Sequence, residues 1–325
     1  MTIKEIAKIA GVSKSTVSRV LTGSLEVSKE TKRKVMRIMD ENNYVPNHLA
    51  KGLSTSKSKI IGIIVPDIKN IFYVDMIDQL ELNLQVSGYT IFLCNTRGKI
   101  FYLEYYFGLL NSLQAEGIIY ISPSTEKINF EAINHIPLIT IDGKIDETVP
   151  SVICNHREGI KLVLNTLIEK QCKNILYITG LDYFYSVVNK NKGYEQIIQK
   201  DKDFTITKVK TSLVPQENYR IIKETIEKDK TIDGIACIND ELAFITIRVL
   251  RELNLTLSKD LLLVGYDDSS YISTLAPELS SVKIPLSKMA KSAADMMVNK
   301  LENGKDVESQ IFDLKLICRS SLEKQ

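Results

Sequence analysis

The chain has 325 residues, of which 44% are apolar and 25% charged. That length allows about two or three domains, the composition is that of an ordinary soluble globular protein, and no apolar run approaches the roughly 18 residues of a membrane span. The formal charge of +2 is unevenly spread: residues 1–59 hold twelve Lys/Arg against five Asp/Glu, net +7, and the rest hold thirty against thirty-five, net −5. A basic head on an acidic body is the electrostatic footprint of nucleic-acid binding by one domain only.

In chain order, the first two dozen residues read as two short helices around a tight turn. Thr2 and Glu5 have capping-box spacing, and Ile3, Ile6, Ala7 and Ala10 repeat at helical spacing to give one buried stripe. Gly11 stops this helix, and Ser13 is placed to cap the next. On that second helix, at roughly 100° per residue, Thr16, Val17, Val20 and Leu21 face inward. Lys14, Ser15, Ser18, Arg19 and Thr22 form a continuous polar arc suited to phosphates and base edges in a DNA major groove. Such an arc is also the solvated face of any amphipathic helix. Two coupled helices with Gly between them favour a helix-turn-helix. A third helix is expected from Ser28 to about Asn42, with Val35, Ile38 and Met39 inward and Lys29, Lys32, Arg33, Lys34 and Arg37 outward. Its basic face is either merely solvated or set against the phosphate backbone. Pro46 ends this head, and the Ser, Thr and Lys of the segment that follows read as a linker.

From Lys59 onward short apolar runs alternate with helical stretches. The expected strands are IIGIIV, YTIFLCN, GIIYIS, IPLITI, NILYIT, FTITKV, GIACIN and LLLVGY. The expected helices are Tyr73–Val86, Leu103–Gln114, Glu158–Glu169, Gly193–Gln199, Asn218–Glu227 and Glu241–Leu253. Non-alternating strands separated by helices imply parallel sheets covered on both faces. The rhythm restarts near Asn174, which favours two similar α/β subdomains with a cleft between them. Ligands bind beyond the carboxyl ends of such strands. There stand Asp67 through Tyr73, Asp142, Asn239-Asp240 and Asp267-Asp268. Each alone is a plain turn former or cap, Asn239-Asp240 especially; their repetition favours a shared cleft.

The five cysteines, Cys94, Cys154, Cys172, Cys237 and Cys318, are odd in number, scattered and never in a C-x-x-C pair. They suit a reduced cytoplasm and neither a disulfide framework nor a zinc site. No signal-peptide pattern opens the chain, so a cytoplasmic protein is expected. G-x-G-x-x-G and G-x-x-x-x-G-K-[ST] are absent, and none of His48, His135 and His156 stands in a Ser/His/Asp-like setting. An enzyme is therefore disfavoured, and no catalytic residue, cofactor or metal is expected.

The run TIKEIAKIAGVSKSTVSRVL resembles the opening of the lactose/galactose repressor (LacI/GalR) family of bacterial transcription regulators. The similarity continues through YVPNHLAKGL, IGIIVPDIKNIFY, GIACINDELA and LLLVGYDDS. The resemblance implies a three-helix helix-turn-helix head (1–46), a hinge (47–58) and a two-lobed periplasmic-binding-protein-like effector and dimerisation core (59–325). The lobes would be roughly 59–157 plus 286–311, and 158–285 plus 312–325. Expected DNA contacts are Ser13, Lys14, Ser15, Thr16, Arg19, Lys32, Arg33 and the hinge residue Leu53, an apolar wedge for the minor groove. The implied effector contacts are Phe72, Tyr73, Asn155, Ser186, Lys190, Asn239 and Asp267.

The expected function is operator binding as a homodimer, or a tetramer built from it, most simply as a repressor. Control would come from a sugar, a sugar phosphate or a similar effector, with no membrane involved. Lys190, with Lys192 nearby, leans toward an anionic ligand, held by Lys190 from one subdomain and by a water-facing Asp267 from the other. A solute-binding receptor would share the two-lobed architecture, but the basic head argues against it. Departures from the family fall at Gly52 in the hinge, at Ile71 where proline is usual, at Asn155-His156 where an Asp-Asn pair is common, and at Val188 and Lys190 where arginines are frequent. They bear on ligand identity, because an ammonium cannot form the planar bidentate fork of a guanidinium.

Overall fold

The computed structural model describes residues 1–21, 26–42, 44, 58–122, 128, 130–133, 135–199 and 203–323. Thr22, Pro46 and the hinge residues 47–57, with His48, Gly52 and Leu53, lie outside the described residues. The chain divides into two compact units, Met1–Ser58 and Lys59–Gln325.

The first unit carries α1 (Ile3–Ala10), α2 (Lys14–Leu21) and α3 (Lys29–Glu41). The capping box is present: Glu5 N–H donates to Thr2 Oγ1 and Thr2 N–H to Glu5 Oε2. Gly11 ends α1 in the left-handed region at φ 66°, which glycine adopts without a Cβ clash. Ser13 Oγ then accepts from Thr16 N–H at 3.0 Å to start α2, and Ser28 does the same for Thr31 ahead of α3. Eight buried apolar residues, Ile6, Ala7, Ala10, Val17, Val20, Val35, Ile38 and Met39, form the core. A core this small stabilises the unit only modestly.

The second unit contains two six-stranded sheets. Lobe 1 has β1 (Ile60–Val65), β2 (Thr90–Asn95), β3 (Gly117–Ile121), β4 (Leu138–Ile141), β5 (Ser151–Cys154) and β11 (Gln310–Phe312), in the order β11-β5-β4-β3-β1-β2. Lobe 2 has β6 (Asn174–Thr179), β7 (Thr205–Lys210), β8 (Gly234–Cys237), β9 (Leu262–Asp267), β10 (Ser280–Lys283) and β12 (Lys315–Ile317), in the order β12-β10-β9-β8-β6-β7. Every pairing is parallel except β10 with β12. The helices are α4 (Ile71–Val86), α5 (Ile100–Ser112), α6 (His156–Glu169), α7 (Tyr185–Ile198), α8 (Pro215–Lys228), α9 (Asp240–Glu252), α10 (Ile272–Leu275) and α11 (Leu286–Asn303). They cover the sheets on both faces, so central strands such as IIGIIV are apolar throughout. Gly62 in β1 is needed because a Cβ there would meet the Leu110 side chain at 2.5 Å.

All eight expected strands are present. The sequence reading omitted β5, β10, β11, β12, α10 and α11, and began α7 eight residues late. The short strands SVIC and SSVK bury serines, which breaks the apolar run used to find strands. α7 buries Lys190 and Asn191 beside Val187, Tyr194 and Ile197, so polar residues occupy part of its inward stripe. Three crossings join the lobes: β5 to α6, β10 to α11, and β11 to β12. The first two leave the carboxyl ends of parallel strands, where the cleft lies. No described helix is long and apolar enough to cross a membrane.

Candidate nucleic-acid interface and inter-lobe cleft

On the head, Lys14, Ser15, Ser18 and Arg19 are exposed along α2, while Val17 and Val20 are buried beneath them. Thr16 and Leu21 are half-buried. Ser13 Oγ lies 2.7 Å from Ser15 Oγ and 2.8 Å from Thr16 Oγ1, so the first turn of α2 presents a cluster of hydroxyls beside Lys14. Arg19 forms an exposed ion pair with Glu26 at 3.3 Å. Exposed pairs of this kind contribute about 0–1 kcal/mol, so phosphate or guanine competes with Glu26 readily. Lys32 and Arg33 are exposed on α3.

In the core, the loops after β1, β4, β8 and β9 meet where the lobes face each other. Asn70 Nδ2 of lobe 1 donates to Glu241 Oε2 of lobe 2 at 3.1 Å. Ser270 of lobe 2 donates from its N–H and hydroxyl to the two oxygens of Asp75, at 3.1 and 2.9 Å. These contacts latch the lobes together. The space left between Asn70, Phe72, Asp240, Glu241 and Asp267 is about 100 Å³, well below the ~300–1,000 Å³ of ordinary ligand pockets. A larger open groove of about 520 Å³ lies on the outside of lobe 1 between α11 and β11, away from these strand ends.

Behind the latch is a buried polar cluster. Asp142 leaves β4 at φ 57° and accepts from Ser122 Oγ at 3.0 Å. Its other oxygen meets His156 Nε2 at 2.5 Å, and His156 Nδ1 lies 3.1 Å from the Tyr266 hydroxyl. Lys190 sits 3.7 Å from the Tyr266 ring centroid and donates to the Ile238 carbonyl at 2.8 Å. Burial pushes the Asp267 carboxyl well up and the Lys190 ammonium down, each opposed by the other's charge. Burial also pushes Asp142 up, but His156, Lys190 and Ser122 outweigh it and hold that carboxylate below its usual range. Asp240 caps the loop after β9, accepting from Ser281 Oγ at 2.7 Å and Ser269 N–H at 2.8 Å, and burial raises it to about 6.

The residues expected around an effector therefore separate. Phe72, Asp267 and Lys190 lie at the cleft, and the Tyr73 hydroxyl is buried beside Ser122, raised by burial. Asn239 caps α9, accepting from Leu242 N–H at 2.9 Å, and Asn155 caps α6, accepting from Glu158 N–H at 3.4 Å. Ser186 is half-buried in the first turn of α7.

Two expectations are corrected. Lys190 and Asp267 belong to the same lobe, on α7 and at the end of β9, so they cannot grip a ligand from opposite sides. Asp267 is also half-buried at the edge of the cleft, with the Lys190 charge from α7 beside its carboxyl, rather than standing free in water. Sequence reasoning missed His156, Ser122, Asp75, Glu241 and Ser270. His156 also proves to be bonded to a carboxylate and a hydroxyl, from Asp142, 14 positions earlier, and Tyr266, 110 positions later. Its order is Ser–Asp–His with the carboxylate central, so Ser122 is bonded to no base that could activate it.

A basic helix-turn-helix unit followed by a two-lobed α/β unit with a cleft at its strand ends defines a DNA-binding regulator with a ligand-binding core. The comparisons agree. Residues 2–47 match the family described as bacterial regulatory proteins, lacI family, and residues 164–322 match the periplasmic binding protein-like domain. The chain is 32% identical to the HTH-type transcriptional regulator RegA of Clostridium saccharobutylicum, over 98% of each protein. It is 28% identical to the sucrose operon repressor of Streptococcus mutans, over 98% of this chain and 99% of that one. Its fold is similar to that of the lac repressor dimer bound to operator and an anti-inducer, with a TM-score of 0.85, 19% identity and 99% coverage of each chain. The chain belongs to the LacI family and is a DNA-binding transcriptional regulator, not an enzyme.

Proposed function

We propose that the protein is a cytoplasmic repressor that binds a palindromic operator as a homodimer and is controlled by a neutral sugar in the inter-lobe cleft. The observation that carries this reading is the charge of the cleft. Asp67, Asp240, Glu241 and Asp267 converge there with Asp142 behind them, outnumbering the exposed Lys69 on the rim, whereas the buried Lys190 donates to the Ile238 carbonyl and lies over the Tyr266 ring. Carboxylates repel a phosphate and accept hydrogen bonds from hydroxyls, so a polyhydroxylated neutral ligand fits better than a sugar phosphate. The small latched cavity means the lobes part to admit the ligand.

Dimerisation is supported by exposed apolar residues on lobe 1. Val74, Leu82 and Val86 lie at four- and eight-residue intervals along α4, next to Leu93 on the edge strand β2. On the head, Lys14, Ser15 and Arg19 read bases, Ser13 and Thr16 position the first turn of α2, and Lys32 and Arg33 neutralise phosphate. Leu53 acts as the hinge wedge. The test is fluorescence anisotropy of the full chain on duplex from its own promoter, titrated with neutral mono- and disaccharides and with their phosphates. A neutral sugar that shifts operator affinity while its phosphate does not supports the reading. A response confined to phosphorylated sugars overturns the ligand class.

A further inference from the structure

His156 is 1% exposed and is bonded to both lobes. It opens α6 immediately after the first crossing, and α6 packs on lobe 2. An ionised Asp142 can only accept, so Nε2 carries the ring hydrogen and Nδ1 is left to accept from the Tyr266 hydroxyl. Each end of this link is itself fixed. Asp142 is held by Ser122 at the end of β3, and Tyr266 carries Lys190 on its ring face. Tyr266 is also the residue before Asp267 in β9. A chain of buried contacts thus runs from the strand ends of lobe 1 to those of lobe 2, with a neutral imidazole donating on one side and accepting on the other.

We infer that His156 is a positioning residue for cleft closure: its neutral ring ties Asp142 to Tyr266 and so sets the spacing of Asp142 and Asp267 across the cleft. The inference rests on the reading of the cleft as the effector site, but its test needs no effector. The groups facing the ring are Asp142 beyond β4, Tyr266 from β9 with Asp267 next to it in the chain, and Lys190 from α7. Burial, aided by Lys190, disfavours the imidazolium more than Asp142 favours it, so the closed arrangement holds His156 below its usual range. A water-filled cleft removes most of that penalty. Closure is therefore at full strength above about pH 6.5, the ordinary imidazole value, and weakens as pH falls below it.

The experiment follows inter-lobe distance in the full chain without ligand, by fluorescence energy transfer between dyes at S112C on lobe 1 and K230C on lobe 2. C318S removes the exposed native thiol; the other four cysteines are buried. With wild-type His156 the open population should rise several-fold between about pH 8 and pH 5.5, the span over which an ordinary imidazole titrates. H156Q, which can still donate and accept but cannot titrate, should stay closed across that range. H156N, too short to span both partners, should be open throughout. Because the chain has only three histidines, ring-nitrogen NMR of the ¹⁵N-histidine protein reads the tautomer directly. It should show one neutral Nε2–H ring, lost in H156Q, that stays neutral below about pH 6.5, the ordinary imidazole value. An ordinary titration near pH 6.5 for His156, or H156N closing like wild type with the same pH dependence, would overturn the inference. Absence of any sugar response would instead remove the effector reading and leave these measurements to decide His156.

Discussion

Lys190 shows how a single side chain changes meaning between sequence and structure. As a lone cation at a position implied to touch effector, it suggests an anion site; in the fold its charge is spent inside lobe 2. Removing it takes away the charge that opposes the burial of Asp267 and Asp142, the donor to the Ile238 carbonyl and the cation over the Tyr266 ring, and a buried acceptor left unsatisfied costs about 1–3 kcal/mol. Lys190→Ala should therefore lower the melting temperature of the core, not only silence the ligand response, and differential scanning calorimetry of the variant checks this. Asp240 makes a complementary prediction. Its carboxyl sits at about 6 in the fold against an ordinary 3.8, so the folded state binds that proton more tightly than the unfolded chain. This group's contribution to stability falls as pH rises from about 4 to about 6 and is level above. Asp240→Asn, which can still accept from Ser269 N–H, should gain on wild type across that window by up to about 3 kcal/mol. Parallel denaturation curves at pH 4 and pH 7 give the difference; an equal gap at both would contradict the burial account. At neither residue was this legible in the sequence, because the partners of Lys190 and Asp240 stand 29 residues or more away on other strands and become neighbours only through strand order.

At the scale of elements, local signals carried most of the reading. Capping chemistry bounded α1 and α3 because Thr2, Glu5, Gly11 and Ser28 act within a few residues of themselves. Apolar runs found the central strands because those are buried on both faces. The same signal failed at β10 and β5, whose serines are buried by hydrogen bonds made far away: Ser280 N–H donates to Ser321 Oγ, and Ser151 N–H to Ser309 Oγ. It failed at α7 for a related reason, a lysine and an asparagine in the inward stripe. The division of labour between α2 and α3 remains a prediction. Arg19→Ala should relax base preference and lose ~1–3 kcal/mol per half-site, as read by binding-site selection. Lys32→Ala should weaken all sequences alike and flatten the salt dependence by about one unit of slope. An unchanged selected site for Arg19→Ala would remove α2 as the reading helix.

At the scale of the whole molecule, a weakly cored basic head precedes a latched, acidic two-lobed core. Among its described residues the head buries eight apolar side chains, too few to hold a stable dimer interface, whereas α4 and β2 leave large apolar groups exposed on the core. Deleting residues 1–58 should leave a dimer without DNA affinity; a monomer at micromolar concentration in sedimentation would place the interface elsewhere. The latch ties function to this architecture. Asp75 and Glu241 hold the lobes together, and a ligand shifts an open–closed equilibrium only through different affinities for the two forms.

The most direct measurement of the central claim is operator affinity of the full chain with and without neutral sugars, at fixed salt. The account predicts tight binding to one palindromic duplex and, for one neutral sugar, a shift of about 5–150-fold, the range of ordinary allosteric coupling. That shift should vanish in Asp267→Ala. Affinity that no neutral sugar moves, or a full shift retained in Asp267→Ala, would contradict it.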